Sequence, residues 1–199
     1  MAHEASDHDN LPRMGMPLPN GKLAIWLFLV TEITFFTAMI GTYMLIRNGQ
    51  PTASNPWPAP HDVHLVEWIG AFNTFVLLTS SLSAVLAHQA AEKGDGRKAG
   101  RLLFATIGGG LVFLIVKSFE WTHEIREGFT ITSSGFWSYY YTAAGLHAFH
   151  VIAGMIIMGF VAVAAMKNEN LHRVENVGIY WHFVDIVWIF LFPLLYIAK

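Results

Sequence analysis

The sequence contains no cysteine, which excludes disulfides, iron–sulfur ligation and thiolate metal sites from this chain. Charge is nearly as scarce. Asp, Glu, Lys and Arg make up 13% of 199 residues against 54% hydrophobic ones, with a mean hydropathy of +0.43. About half the usual share of charge, beside this much apolar content, points to a polytopic membrane protein and away from a soluble domain. Residues 1–21 are polar and Pro-rich, with His3, Asp7, His8 and Asp9, and lack the basic n-region and short apolar core of a cleavable signal. The first apolar span is therefore expected to direct insertion.

Five apolar runs follow, at about 23–46, 65–91, 102–122, 136–166 and 177–197, each long enough to cross a bilayer core of ~30 Å at ~1.5 Å per residue. The expected fold is all-α, a five-helix membrane domain over 22–199 preceded by a polar cytoplasmic tail over 1–21. Pro51, Pro56, Pro58 and Pro60 around Trp57 mark the first connection as an ordered extramembrane loop. Residues 92–101 read as a short charged turn. Asn73, Thr74, Thr79, Ser80, Ser81 and Ser83 in the second run, and Gly108, Gly109 and Gly110 in the third, suit close helix packing in lipid. Trp137, Tyr139, Tyr140 and Tyr141 open the fourth run as an aromatic interfacial belt.

With five spans, the tail and the second and fourth loops share one side of the membrane. Eight basic residues lie there, and three (Arg47, Arg126 and Lys199) lie on the other, with Lys117 inside a span. The bias predicts a cytoplasmic N-terminus and an external C-terminus. Depth follows from the same counting. Glu32 lies ~13 Å and Asp185 ~10 Å from the inner end of their helices, and His150 ~10 Å from the inner surface. Two polar clusters are expected: an inner one of Glu32, His147, His150, His182 and Asp185, and an outer one of Lys117, Glu120 and His123.

Ionisable side chains in spans cost several kcal/mol on insertion, about 2.5 to 3.5 for a central Asp, so they face protein or water and have partners. Each still admits two readings. The histidines could ligate metal or haem, but the surrounding helices are dense in large aromatics and offer no glycine-lined groove, which favours hydrogen-bonded packing histidines. Glu32 is a proton-relay carboxyl or a structural acid. Asp185 reads as a partner of His182, three residues away on one helix face. Lys117 and Glu120, with the same spacing, form an ion pair anchoring a helix end, or else meet a lipid headgroup or a partner protein. No nucleophile stands beside a base, no catalytic or metal site is expected, and no feature suggests nucleotide or nucleic-acid binding.

The run YWHFVDIVWIFLF over 180–192 resembles the signature of subunit III of haem–copper terminal oxidases. Other elements extend the resemblance over about 22–197: WLFLVTEITFFTA around Glu32, AFNTFVLLTSS around Asn73 and Thr74, Ala87 and His88 before a turn with Gly94, Asp95 and Arg97, Phe119 with Glu120, and TAAGLHAFHVIAG with Gly145, His147 and His150. The resemblance implies a non-catalytic accessory subunit of an aerobic respiratory oxidase in a bacterial plasma membrane. The haems and copper would belong to neighbouring subunits, with subunits I and II and further respiratory-complex subunits as partners. It implies stabilisation of the catalytic core, support of proton uptake, and binding of membrane phospholipid.

By the family pattern Glu32 is the buried carboxyl known for carbodiimide reactivity, and Glu120, His147, His150, His182 and Asp185 are its other signature positions. Two departures stand out. Many members have seven helices and this chain has five, which leaves a lipid cleft to be shared with a neighbour, and Lys117 is a charge where many members are neutral. The alternatives are a quinol oxidase subunit III, the related accessory protein of nitric oxide reductase, and, more remotely, a stand-alone transporter or a haem-binding cytochrome.

Overall fold

The computed structural model describes residues 20–49 and 65–197. These form five helices: α1 (Asn20–Asn48), α2 (Glu67–Glu92), α3 (Gly96–Arg126), α4 (Gly135–Met166) and α5 (His172–Phe192), which closes with a π-helical turn over Pro193–Ile197. All five are long and apolar enough to cross a membrane, the element type required where backbone groups have no water to bond. The polar tail and the proline-rich connection lie outside the described residues.

Local chemistry sets the helix ends. Residues 96–101, expected as part of a charged turn, instead form the first turns of α3, because Asp95 caps the helix by accepting from the Lys98 amide at 3.0 Å. The turn shrinks to Lys93, Gly94 and Asp95, and Gly94 takes the left-handed φ of +76° that the reversal needs. Ser134 caps α4 in the same way, accepting from the Trp137 amide at 3.4 Å. Pro193 carries no amide hydrogen to continue the α ladder, and the chain widens there into the π turn.

Helices α2, α3, α4 and α5 close into a ring in which each touches the next and α5 returns to α2, while α1 leans on α5 and α4 from outside. Short connections make successive members antiparallel. Small residues set the spacing. A Cβ at Gly109 would fall 2.5 Å from that of Ser80, and one at Gly110 would meet the Met155 sulfur and the Trp181 ring at 2.8 Å, so two of the three consecutive glycines carry a close approach. Gly108 has open space around it.

Hydroxyl groups then bridge the seams. Ser83 and Thr106 share a 2.6 Å hydrogen bond, Trp181 donates to Ser80 at 3.1 Å, and Trp188 donates to Thr74 at 3.0 Å. The aromatic opening of α4 is not a belt facing lipid, because Trp137 and Tyr140 are buried inside the bundle.

Candidate functional site

The first polar centre lies among α3, α4 and the end of α5. Lys117 is buried, and its ammonium donates to Glu120 Oε1 at 2.9 Å, to the Tyr196 hydroxyl at 2.6 Å and to the Tyr140 hydroxyl at 3.1 Å. The same nitrogen sits 4.9 Å from the Tyr140 ring centroid and 5.1 Å from those of Trp188 and Tyr196. Both tyrosines also donate to Glu120 Oε1, Tyr196 at 2.5 Å. A cation with three hydrogen-bond acceptors and three aromatic faces is one of the few arrangements that can repay desolvating an ammonium.

The expected Lys117–Glu120 pair is thus present, but as the middle of a packed polar core and not as a surface anchor. His123 is exposed and stands apart from the ammonium; it lines a cavity of about 420 Å³ with Glu120 and Glu124. Tyr140 and Tyr196 were not expected here. Antiparallel register was the available signal, since the end of α3, the start of α4 and the end of α5 all lie at one level.

The second centre is the seam of α1. Glu32 Oε2 and His150 Nε2 are 3.2 Å apart, with side chains 20% and 12% exposed, and Tyr180 donates to the His150 carbonyl at 3.0 Å. Depth counting brought these two residues together correctly. Lys22 pairs with Glu175 at 2.6 Å nearer the start of α1, and Tyr43 donates to the Leu194 carbonyl at 3.2 Å near its end. Three polar clamps therefore hold α1 at its two ends and its middle. Grooves open between them. One, about 750 Å³, runs between α1, α4 and α5 past Phe28, Glu32, His150, Tyr180, Arg173 and Asn176; another, about 390 Å³, separates α1 from α5.

The remaining members of the expected inner cluster do not join this pair. His147 is buried, edge-on to Phe113 and stacked on Trp188 at 5.0 Å, and its Nε2 has no hydrogen-bond partner. His182 faces the smaller groove, and its Nδ1 shares a 2.5 Å hydrogen bond with Ser81. The expected His182–Asp185 pair does not form. The imidazole takes the α2 hydroxyl instead, while Asp185 is buried beside the same serine. Helix packing, which sequence spacing does not encode, selects the nearer hydroxyl. Among the described residues no three His, Asp or Glu side chains converge as metal ligands would.

A bundle of five membrane-length helices, joined by hydrogen bonds and ion pairs between helices and with grooves along a loosely held first helix, belongs to the class of multi-pass membrane proteins. The chain is a member of the cytochrome c oxidase subunit III family, whose sequence profile matches residues 6–199. It is 34% identical over 183 residues to cytochrome c oxidase subunit 3 of Bacillus subtilis, covering 89% of this chain and 86% of that one. Cytochrome bo(3) ubiquinol oxidase subunit 3 of Pseudomonas aeruginosa is 32% identical over 204 residues, with 98% and 92% covered. A haem–copper oxidase subunit I+III of Aeropyrum pernix is 30% identical over 191 residues, 92% of this chain and 23% of that longer protein.

Proposed function

We propose that the chain is the accessory subunit III of an aerobic respiratory haem–copper oxidase in a bacterial plasma membrane, with its N-terminus cytoplasmic. In this reading subunits I and II carry the haems and copper, and this chain stabilises the catalytic core, holds lipid and sustains proton uptake. The observation that carries it is the full-length similarity to proteins named as the third subunit of such oxidases. The fused relative, in which subunits I and III share one polypeptide, supports subunit I as the direct partner.

The α1 seam supplies a physical basis. Its larger groove has apolar walls, Arg173 and Asn176 among its polar lining, and the Glu32–His150 pair on its wall, a shape suited to a phospholipid chain with a titratable pair beside it. Relatives bearing quinol-oxidase names keep quinol as a second reading for the electron donor.

A tagged purification from native membranes in mild detergent tests the proposal, with haem and copper quantified on the complex and on the chain stripped from it. Haem and copper in the complex and none on the stripped chain are expected. Haem that stays with the isolated chain would make His147, His150 or His182 ligands and overturn the accessory role.

A further inference from the structure

His147, His150 and His182 lie well inside their spans, and each spends its ring differently. His150 is engaged at both nitrogens, Nδ1 at 2.8 Å from the Leu146 carbonyl and Nε2 at 3.2 Å from Glu32. His147 has a free Nε2 but is sealed inside the bundle. Of the three, only His182 joins an open position to an unspent nitrogen. Its ring lines the 390 Å³ groove between α1 and α5, Nδ1 is taken by Ser81 of α2, and Nε2 has no hydrogen-bond partner among the described residues. The groups behind the ring set what Nε2 can do. Asp185 is buried beside Ser81, and a carboxylate only accepts. With the Ser81 hydrogen turned to Asp185, Ser81 Oγ accepts from His182 Nδ1–H, and Nε2 is left as an acceptor at the groove.

The shape of the groove narrows the occupant. Beside Thr37 and His182 its lining is aliphatic or aromatic, with Leu29, Ile33 and Phe36 on α1 across from Phe183, Ile186 and Phe190 on α5. Phe36 and Phe183 are buried and bridge the two helices, with ring centroids 6.1 Å apart, while Ile33, Ile186 and Phe190 are exposed at the edges. The groove therefore opens on the flank of the bundle, where a membrane-soluble molecule enters directly. Small-molecule sites span roughly 300–1,000 Å³ and pair apolar walls with a few placed polar groups. His182 is ten residues from the start of α5, ~15 Å along the helix, and the lining continues past it to Ile40 and Phe190. An acyl chain would fill this space and leave Nε2 unserved, and a charged headgroup at this depth would lose its hydration. A flat ring carrying a hydroxyl and an apolar tail satisfies the aromatic walls and the nitrogen together.

We propose that the α1–α5 groove is a docking site for a lipid-soluble hydroquinone, whose ring hydroxyl donates to His182 Nε2 while its tail lies along Ile40, Ile186 and Phe190. The chain binds this molecule and carries out no oxidation of it. The inference goes beyond the accessory-subunit reading and is read out on labelled residues, not on metal content or turnover, so either can fail alone.

The test uses the tagged full chain, with whatever subunits accompany it, in nanodiscs under argon. The probe is a benzohydroquinone with a short alkyl tail carrying a diazirine, and the residues it labels on this chain are located by peptide mass spectrometry after illumination. Labelling of the facing stretches of α1 and α5 is expected. An unlabelled decyl hydroquinone should suppress it several-fold more effectively than the dimethyl ether of the same molecule, which keeps the ring and tail but has no O–H. His182→Phe should abolish that difference. Ile33→Trp fills the groove from α1 without touching Ser81, His182 or Asp185 and must abolish the labelling, which keeps the test decisive if His182→Phe does not accumulate. Equal suppression by the hydroquinone and its ether in wild type, the result for a slot that takes any hydrocarbon, overturns the proposal. So does an absence of label from the groove, or a result that survives either substitution.

Discussion

Helices α1 and α5 are both membrane-length, and α1 is the more apolar. Their burial runs the other way: 11% of the apolar stretch of α1 is buried and 61% of that of α5. In lipid an apolar side chain gains nothing by leaving one hydrocarbon environment for another, so hydropathy does not draw a helix inward; small residues, shape and polar bonds do. Helix α5 is central because Trp181 fills the space left by Gly110 and Gly154, and Trp181 and Trp188 both reach hydroxyls on α2. Helix α1 is held at three polar points with grooves between them.

The two polar centres carry the same contrast, and substitution should separate them. The largest effect is expected at the buried pair. Lys117→Met leaves Glu120 buried without its cation, and breaking such a pair costs about 3–5 kcal/mol; it should appear as loss of folded chain in detergent melts. Lys117→Met with Glu120→Gln should recover much of that loss, since the isolated charge is then gone. Equal loss in single and double variants would mean that the tyrosine cage, and not charge pairing, holds this end of the bundle.

A smaller effect is expected at the α1 seam. Glu32→Gln keeps a hydrogen-bonding group opposite His150, and interhelical hydrogen bonds in membranes average about 0.6 kcal/mol. The fold should persist while proton uptake or the durability of turnover in the complex declines with haem content unchanged. Loss of haem in this variant would contradict the proposed role. The smallest is at the edge of the seam. Lys22→Ala removes an ion pair with Glu175 in which both side chains are about a third exposed, worth about 0–1 kcal/mol; melts should barely move, and a large shift would show that α1 depends on its end clamp more than on its middle one.

Much of this molecule was legible before any coordinates. Apolar run length placed all five helices, and a count of residues from the helix ends placed Glu32 opposite His150. The same count did not place His182 or Asp185 correctly, because it gives depth and says nothing about which way a helix is turned. His182 faces Ser81 across a seam set by α2 packing on α5. Tyr140 read as a belt residue because its composition and position suit one; the neighbouring Lys117, which needs acceptors wherever it is buried, was the clue that it turns inward.

The sequence by itself determined the number of membrane-length helices and where their apolar middles lie, because a backbone crossing lipid must satisfy its own hydrogen bonds and only a long apolar helix does so. Family membership is also written in it, as an ordered series of polar residues within those spans. Rotation and partnership were decided by the tertiary structure alone. Which carboxylate meets which imidazole, and which face of α1 stays uncovered, depends on small-residue contacts between helices distant in sequence, and hydropathy carries no record of them.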